Sequence, residues 1–282
     1  MSQPIPGFVE RAAAGWARFA TPVRRRALRD GLSVVGLGML GLILVAGSGT
    51  DAISYWSLDL AQPYAAASQS LTADVAFRYG PPVALLVAPL TLLPWEAFRI
   101  LWIGLQLGAL ATIAGTWTLA SVAIYPITLE LSVGNIHLLL AAAIFLGLRY
   151  PVAWVWVLLT KVTPGVGLLW FAVRREWRPL LLALGATFLA AALSWVVRPD
   201  LWPEWLAMLA ANAQLPLEPD ARYLPIPLAV RLPLAVAVVV WAARRDDPRG
   251  LGLAATLGLP TIWPHSLAML VLCFVPPRRW PR

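Results

Sequence analysis

The sequence predicts an all-α, polytopic membrane protein. Of its 282 residues, 60% are hydrophobic and 13% are charged, whereas soluble domains carry about 25% charged residues. Apolar stretches recur from Gly31 to Val275 with only short polar breaks, and helices satisfy the backbone hydrogen bonds of such stretches in lipid. We therefore expect one transmembrane helix bundle of about eight to ten segments at 31–277, between a basic lead at 1–30 and a tail at 278–282.

The net charge of +8 does not indicate nucleic-acid binding, because the arginines cluster at the ends of apolar segments. Positive-inside topology explains such clusters. We expect a plasma-membrane protein with both termini in the cytoplasm and two outer loops, at about 47–80 and 198–223. The single cysteine, Cys273, excludes an intrachain disulfide.

The lengths of the apolar runs and the polar breaks between them predict where the membrane segments lie along the chain. They are expected at about 32–46, 81–93, 95–115, 117–131, 135–149, 151–172, 179–197, 224–243 and 251–275. The first is expected to be an uncleaved signal anchor. Those between 117 and 172 are short for a hydrocarbon layer of about 30 Å, so some of them are candidates for half-helices or re-entrant segments. Prolines divide the last one, and the basic tail after it favours a hairpin over a kinked span.

The second outer loop is expected to contain a helix that lies in the membrane interface. Trp202, Trp205, Leu206 and Leu209 follow one another at helical spacing there.

Lys161 is the strongest candidate for a functional role. It is the only lysine in the chain and lies in an apolar segment, where Thr163 and Pro164 loosen the helix. Inserting a charge costs about 2.5–3.5 kcal/mol, so an ammonium there needs an anion. That anion is either a lipid phosphate or a carboxylate such as Glu130. A substrate role and a structural ion pair or snorkelling side chain are both open.

Asp51 and Asp59 stand at the outer end of the first helix, on either side of Tyr55. A partly desolvated carboxylate at this position can act as a general base on a hydroxyl. The alternative is an ordinary solvated loop acid, and the same two interpretations apply to Asp74.

Neither a metal nor a cofactor is predicted. His137 and His265 lie in apolar surroundings without a carboxylate at ligand spacing, which favours hydrogen-bonded core or interface residues. The sequence has no P-loop, no glycine fingerprint and no Asp-x-Asp pair. This disfavours soluble nucleotide-activated donors.

Five short motifs resemble glycosyltransferase family 87 in their order along about 50–265. They are Asp51 with Tyr55 after the first helix, Tyr79-Gly80-Pro81-Pro82, Gly134-Asn135, Lys161-Val162-Thr163-Pro164, and Trp263-Pro264-His265. Asn135 stands where the family more usually has Gln, and the chain is shorter than most members.

The resemblance implies a GT-C membrane fold and a polyprenyl-phosphate sugar donor, as in polyprenyl-phosphate-mannose-dependent mannosyltransferases. It implies an inverting transfer to a glycan or glycolipid acceptor at the outer face, with Asp51 as the general base. The cations expected to bind the leaving phosphate are Lys161, Arg78, Arg222 and His265. The remaining candidates for substrate binding are Tyr55, Asp59, Tyr79 and Asn135.

Two other functions fit the same features. One is a nonenzymatic transporter or flippase for a polyprenyl lipid, which would use Lys161 to bind the phosphate. The other is a subunit of an envelope-glycan assembly complex.

Overall fold

The computed structural model describes residues 21–68, 75–212 and 223–281, and within these residues every regular element is a helix. The α-helices are α1 (Pro22–Ala46), α2 (Ala52–Trp56), α3 (Pro81–Val87), α4 (Trp95–Ala114), α5 (Thr118–Val122), α6 (Tyr125–Val133), α7 (His137–Gly147), α8 (Trp154–Thr160), α9 (Leu169–Val173), α10 (Trp177–Val197), α11 (Leu201–Asn212), α12 (Leu228–Arg244) and α13 (Arg249–Leu257). The 3₁₀ helices are Ala88–Leu92, Gly115–Trp117, Pro151–Ala153, Thr163–Leu168, Pro264–Phe274 and Pro277–Arg279. The all-α prediction is confirmed for this part of the chain.

Three helices among the described residues are long and apolar enough to cross a membrane. They are α1, α10 and the run Trp95–Val122 that begins with α4. A fourth is gained if α6 and α7, which are bent by 111°, count as one span. Several of the eight to ten expected segments are therefore too short to cross. Helix α1 begins ten residues before the predicted start, because Thr21 caps it and accepts from the Arg24 N–H at 3.3 Å.

Side chains that bridge helix termini define two ends of the bundle. Arg99, near the start of α4, donates to the carbonyls of Ile43 and Leu44 at the end of α1, at 3.2 and 2.7 Å. We call this the upper end. At the other end of α4, Arg279 donates to the Ala114 carbonyl at 3.2 Å, and we call this the lower end.

The segment at 81–93 does not cross from one end to the other, contrary to the prediction. Helix α2 contacts both ends of this segment. The hydroxyls of Tyr55 and Tyr79 are 2.9 Å apart, and the Trp56 indole N–H donates to the Leu93 carbonyl at 2.8 Å. The segment is a short re-entrant piece at the upper end. The apolar composition of the segment at 81–93 predicts burial in lipid, but it does not show where the chain turns back.

Three pairs of short helical segments rise from the lower end and turn back inside the bundle, and we call them hairpins. The first is α6 and α7. The second joins α8 to the 3₁₀ helix Thr163–Leu168 and α9, where a methyl group on Gly167 would lie 2.4 Å from the Trp154 ring. The third joins α13 to the 3₁₀ helix Pro264–Phe274, where a methyl group on Gly252 would lie 2.6 Å from Leu272. Counted with its 3₁₀ part, each arm of these hairpins is a helical run of 9 to 11 residues. Such a run reaches only about half the bilayer thickness.

Two predictions about these hairpins have different outcomes. The hairpin expected at 251–275 is confirmed. The single segment expected at 151–172 is wrong, because the helix ends at Thr160 and Lys161 has an extended backbone, with φ −135° and ψ 100°. Pro164, which cannot donate a helical hydrogen bond, favours the break.

Helix α1 packs closely on α5 through Gly36. A methyl group on Gly36 would lie 1.8 Å from the Leu119 carbonyl oxygen, whereas one on Gly38 would meet nothing within 4 Å. The clash is with backbone, so no side-chain rotation relieves it.

We predict that Gly36→Ala destabilises the protein by about 1–3 kcal/mol, the usual cost of overpacking. Gly38→Ala should be neutral or slightly stabilising, because alanine favours helix. Thermal unfolding of the purified protein in detergent measures both. Equal melting temperatures for the two variants would contradict the packing of α1 on α5.

Candidate active site

Asp51 is attached to the end of α6 by backbone hydrogen bonds. The Gly49 N–H donates to the Ser132 carbonyl at 2.8 Å, and the Asp51 N–H donates to the Val133 carbonyl at 2.9 Å. The chain then reverses at Gly134, whose φ is +78°. A methyl group there would lie 2.6 Å from the Ala52 Cβ, so glycine is needed both for the conformation and for the close approach.

The Asp51 carboxylate is oriented by the first hairpin's turn. Its Oδ2 accepts from the Asn135 Nδ2 at 2.8 Å. The Ile136 N–H donates to Asn135 Oδ1 at 2.7 Å, which fixes the amide with its NH₂ group toward Asp51. The Asp51 side chain is 34% exposed. A ligand can therefore reach a carboxylate whose direction is already set.

His265, from the third hairpin, faces the same carboxylate. Its Nε2 is 3.6 Å from Asp51 Oδ2, just too far for a hydrogen bond, and it has no hydrogen-bond partner among the described residues. A hydroxyl placed between the two atoms can contact both. The His265 ring also lies parallel to Trp263, within 8°.

The polar group beneath Asp51 contains Glu130, His137 and the half-buried Lys161. Glu130 and His137 are fully buried. Glu130 Oε1 accepts from the His137 backbone N–H at 2.6 Å, and Oε2 lies 3.0 Å from His137 Nδ1. On the other side of the ring, Nε2 is 2.8 Å from Lys161 Nζ and 3.2 Å from Ser266 Oγ. Residues from all three hairpins therefore meet at His137.

Glu130, His137 and His265 also have the spacing of a metal site, with one potential ligand atom from each lying within 4.8 Å of the others. The chemistry of this set fits a cation poorly. Both Glu130 oxygens already accept hydrogen bonds from His137, and the Lys161 ammonium lies against the other ring nitrogen. A metal here would have to displace these partners, and a second positive charge would stand beside Lys161.

Buried aromatic residues form one wall of the site. Tyr55 lies between Tyr79 and Trp102, with ring centroids 5.6 and 4.8 Å away and the rings tilted by 35° and 32°. The Trp102 indole N–H donates to the Gly134 carbonyl at 2.7 Å. Burial raises the pKa of the Tyr55 and Tyr79 hydroxyls well above their ordinary value. Both hydroxyls therefore stay protonated.

Arg78 lies half-buried at the edge of this wall. Its guanidinium donates to the Ala76 carbonyl at 3.2 Å, and the Trp205 indole N–H of α11 donates to the Arg78 carbonyl at 3.4 Å. Burial lowers the pKa of Arg78, while the negative charge of the Asp51 carboxylate acts in the opposite direction. A guanidinium keeps its proton under these conditions, so Arg78 adds a cation near Asp51.

An apolar groove of about 590 Å³ lies beside the site, between α3, α8 and α10. Leu159, two residues before Lys161, and Pro82, three residues after Tyr79, belong to its wall. Leu86, Leu193 and Val197 line it farther out and are exposed on the outer surface of the bundle. The groove thus connects the apolar surface with residues next to the polar site.

A comparison with protein families identifies this chain over most of its length. Residues 77–280 match the model of glycosyltransferase family 87. The chain belongs to this family. No similar curated protein and no similar solved structure was found.

The match confirms the resemblance seen in the sequence motifs and supports glycosyltransferase activity for this family 87 chain. It covers Arg78, Asn135, Lys161 and His265, and it begins after Asp51. Asp51 is therefore assigned to the site by its contacts with residues that the family model covers, and not by the match itself.

The structure brings most of the predicted site residues of the family 87 chain together. Asn135 and His265 lie beside Asp51, and His137 links His265 to Lys161. This group is bordered by Tyr55, Tyr79 and Arg78. Asp59 is apart from this group: it is exposed, and its carboxylate accepts from the Ala61 N–H at 2.8 Å. Arg222 and the loop acid Asp74 lie outside the described residues.

Sequence reasoning missed the central position of His137 and gave Glu130 only a secondary role. The sequence offers Glu130 as one of two possible anions for Lys161, the other being a lipid phosphate, but His137 stands between the Glu130 and Lys161 side chains. The signal available in the sequence is an acid and a histidine in apolar segments on either side of Gly134-Asn135. A helix break flanked by ionisable side chains indicates that they can meet at a turn.

Proposed function

We propose that this family 87 chain transfers a sugar from a polyprenyl-phosphate donor to a hydroxyl of a glycan or glycolipid acceptor. The sugar is mannose or another hexose or pentose. The observation that carries the proposal is the placement of an accessible carboxylate, Asp51, and the chain's lone lysine, Lys161, around one site with an apolar groove beside it. A lipid-linked sugar phosphate has these three parts: an apolar chain, a phosphate and a sugar.

In the proposed reaction Asp51 accepts the proton of the acceptor hydroxyl. The acceptor oxygen attacks the anomeric carbon from the face opposite the phosphate, so the configuration is inverted. The bond between that carbon and the phosphate oxygen breaks, and polyprenyl phosphate leaves with one more negative charge than the donor phosphate had. Lys161, with Arg78 and His265, stabilises that charge. Because the protein supplies the cations, the mechanism requires no metal.

The proposal places the upper end of the bundle at the outer face of the plasma membrane. The lower end carries an arginine-rich set consisting of Arg174, Arg175, Arg178, Arg244, Arg245, Arg249, Arg278 and Arg279. Arginines accumulate on the cytoplasmic side of membrane proteins. The donor would enter sideways from the outer leaflet, with its polyprenyl chain in the groove between α3, α8 and α10.

The direct test is sugar transfer by the purified protein from a radiolabelled polyprenyl-phosphate sugar. We predict that Asp51→Asn lowers the transfer rate by about 10²- to 10⁴-fold, the usual contribution of a general base. Asp59→Asn, in the same loop, should keep the wild-type rate, because among the described residues the Asp59 carboxylate hydrogen-bonds only to the loop backbone.

Full transfer by Asp51→Asn would exclude Asp51 as the base. Translocation of the lipid across vesicles by the wild-type protein, without any transfer of sugar, would instead support the transporter.

The groove gives an independent prediction. Ala190→Trp, on α10, should fill the groove and raise the KM for a full-length polyprenyl donor by about tenfold, as expected if about two buried CH₂ groups of the chain are displaced. The KM for a donor with a chain of one or two isoprene units should change less. Leu189→Trp is the matched control, because Leu189 is exposed and does not line the groove. Equal effects on both donors would contradict chain binding in this groove.

A further inference from the structure

Glu130 fixes the protonation pattern of the His137 ring. The His137 backbone N–H donates to Oε1 at 2.6 Å, so the carboxylate acts as an acceptor, and the ring Nδ1–H donates to Oε2 at 3.0 Å. In a neutral imidazole the other nitrogen is then a hydrogen-bond acceptor. The buried carboxylate therefore directs the Nε2 lone pair away from itself.

Two donors converge on that lone pair. Lys161 Nζ is 2.8 Å from Nε2, and Ser266 Oγ is 3.2 Å from it. The acceptor is neutral, so it orients the ammonium without neutralising its charge. The carboxylate that balances the charge, Glu130, is one imidazole ring away.

The backbone conformation at Lys161 explains why its ammonium needs a partner on another element. Lys161 follows the last residue of α8 and has an extended backbone at the second hairpin's turn. A lysine side chain there has four rotatable bonds and no helix surface to lie against, so its ammonium must be held by another element. His137, from the first hairpin, does this.

We propose that Glu130 and His137 are positioning residues for Lys161, which hold its ammonium charged and directed at the phosphate of the sugar donor. This inference rests on the proposed function, in which Lys161 stabilises the leaving phosphate. A direct Lys161–Glu130 ion pair would compete with the phosphate for the ammonium. The intervening imidazole removes that competition and keeps the charge of the buried group balanced.

The chemistry predicts which kinetic parameter changes. The phosphate gains negative charge only as the sugar bond breaks, so a well-placed ammonium stabilises the transition state more than the bound donor. Losing Lys161 should lower kcat by about a hundredfold, with a smaller change in KM. Losing only its orientation should lower kcat by about tenfold.

The test is a double-mutant cycle between His137 and Lys161 in the transfer assay, with melting temperatures measured in parallel. His137→Asn retains a donor for Glu130 but loses the acceptor for Lys161, and His137→Gln places an acceptor near the position of Nε2. We expect His137→Asn to lower kcat about tenfold and His137→Gln to recover most of this loss. In the Lys161→Met background, His137→Asn should cause no further loss.

The outcomes separate this inference from the proposed function. Wild-type kcat in Lys161→Met would overturn the phosphate role of Lys161, and with it the inference. A low kcat in Lys161→Met beside an unchanged kcat in His137→Asn would overturn the inference alone. If the losses of kcat in the two single variants add in the double mutant, the inference is also overturned, because His137 would then act independently of Lys161.

One further variant replaces His137→Asn if that variant misfolds, and a second controls for the loss of a buried hydrogen bond. If His137→Asn does not fold, Glu130→Gln replaces it in the cycle, because it removes the charge that fixes the ring, and the same dependence on Lys161 is expected. Thr256→Val is the control for loss of a buried hydrogen bond: Thr256 is buried in α13 and donates to the Gly252 carbonyl within its own helix. It should lower stability slightly without changing kcat.

Discussion

The constraint on which this structure depends is the satisfaction of backbone hydrogen bonds where helices break inside an apolar bundle. Lipid offers no partner to a free N–H or C=O group, so such breaks are tolerated only where protein groups replace the helical bonds. At the first hairpin's turn, Trp102 donates to the Gly134 carbonyl and Glu130 accepts the His137 N–H. At the third, buried Arg231 donates at 2.7 to 2.8 Å to the carbonyls of Leu257, Leu259 and Pro260, and it also donates at 2.7 Å to the Ile226 carbonyl before α12.

The groups that stabilise the breaks are also the groups that form the candidate site. Glu130 holds a backbone N–H with one oxygen and the His137 ring with the other. Asn135 holds the Ile136 N–H and Asp51 in the same way. Polar side chains are costly in such surroundings unless they are paired, and here each pairing also sets the direction of a group in the candidate site. The contacts that satisfy the helix breaks therefore also arrange the candidate site.

Hydropathy predicted the long elements well, because α4, α10 and α12 are apolar runs bounded by polar residues. It could not predict the re-entrant pieces, since a segment that turns back within the bundle is as apolar as one that crosses. Lys161 and Asp51 were identifiable because a lone lysine in an apolar segment and an acid at the end of a helix are local features. His137 was not, because its position between Glu130 and Lys161, which are 7 and 24 residues away, depends on three separate turns that meet at one point.

The central claim is that Asp51 and Lys161 serve one site for a lipid-linked sugar phosphate. A cryo-EM structure of the protein with polyprenyl phosphate tests it most directly. We predict a phosphate oxygen within hydrogen-bonding distance of Lys161 Nζ, with the polyprenyl chain in the groove between α3, α8 and α10. A phosphate bound away from Lys161, for example among the arginines of the lower end, would contradict it.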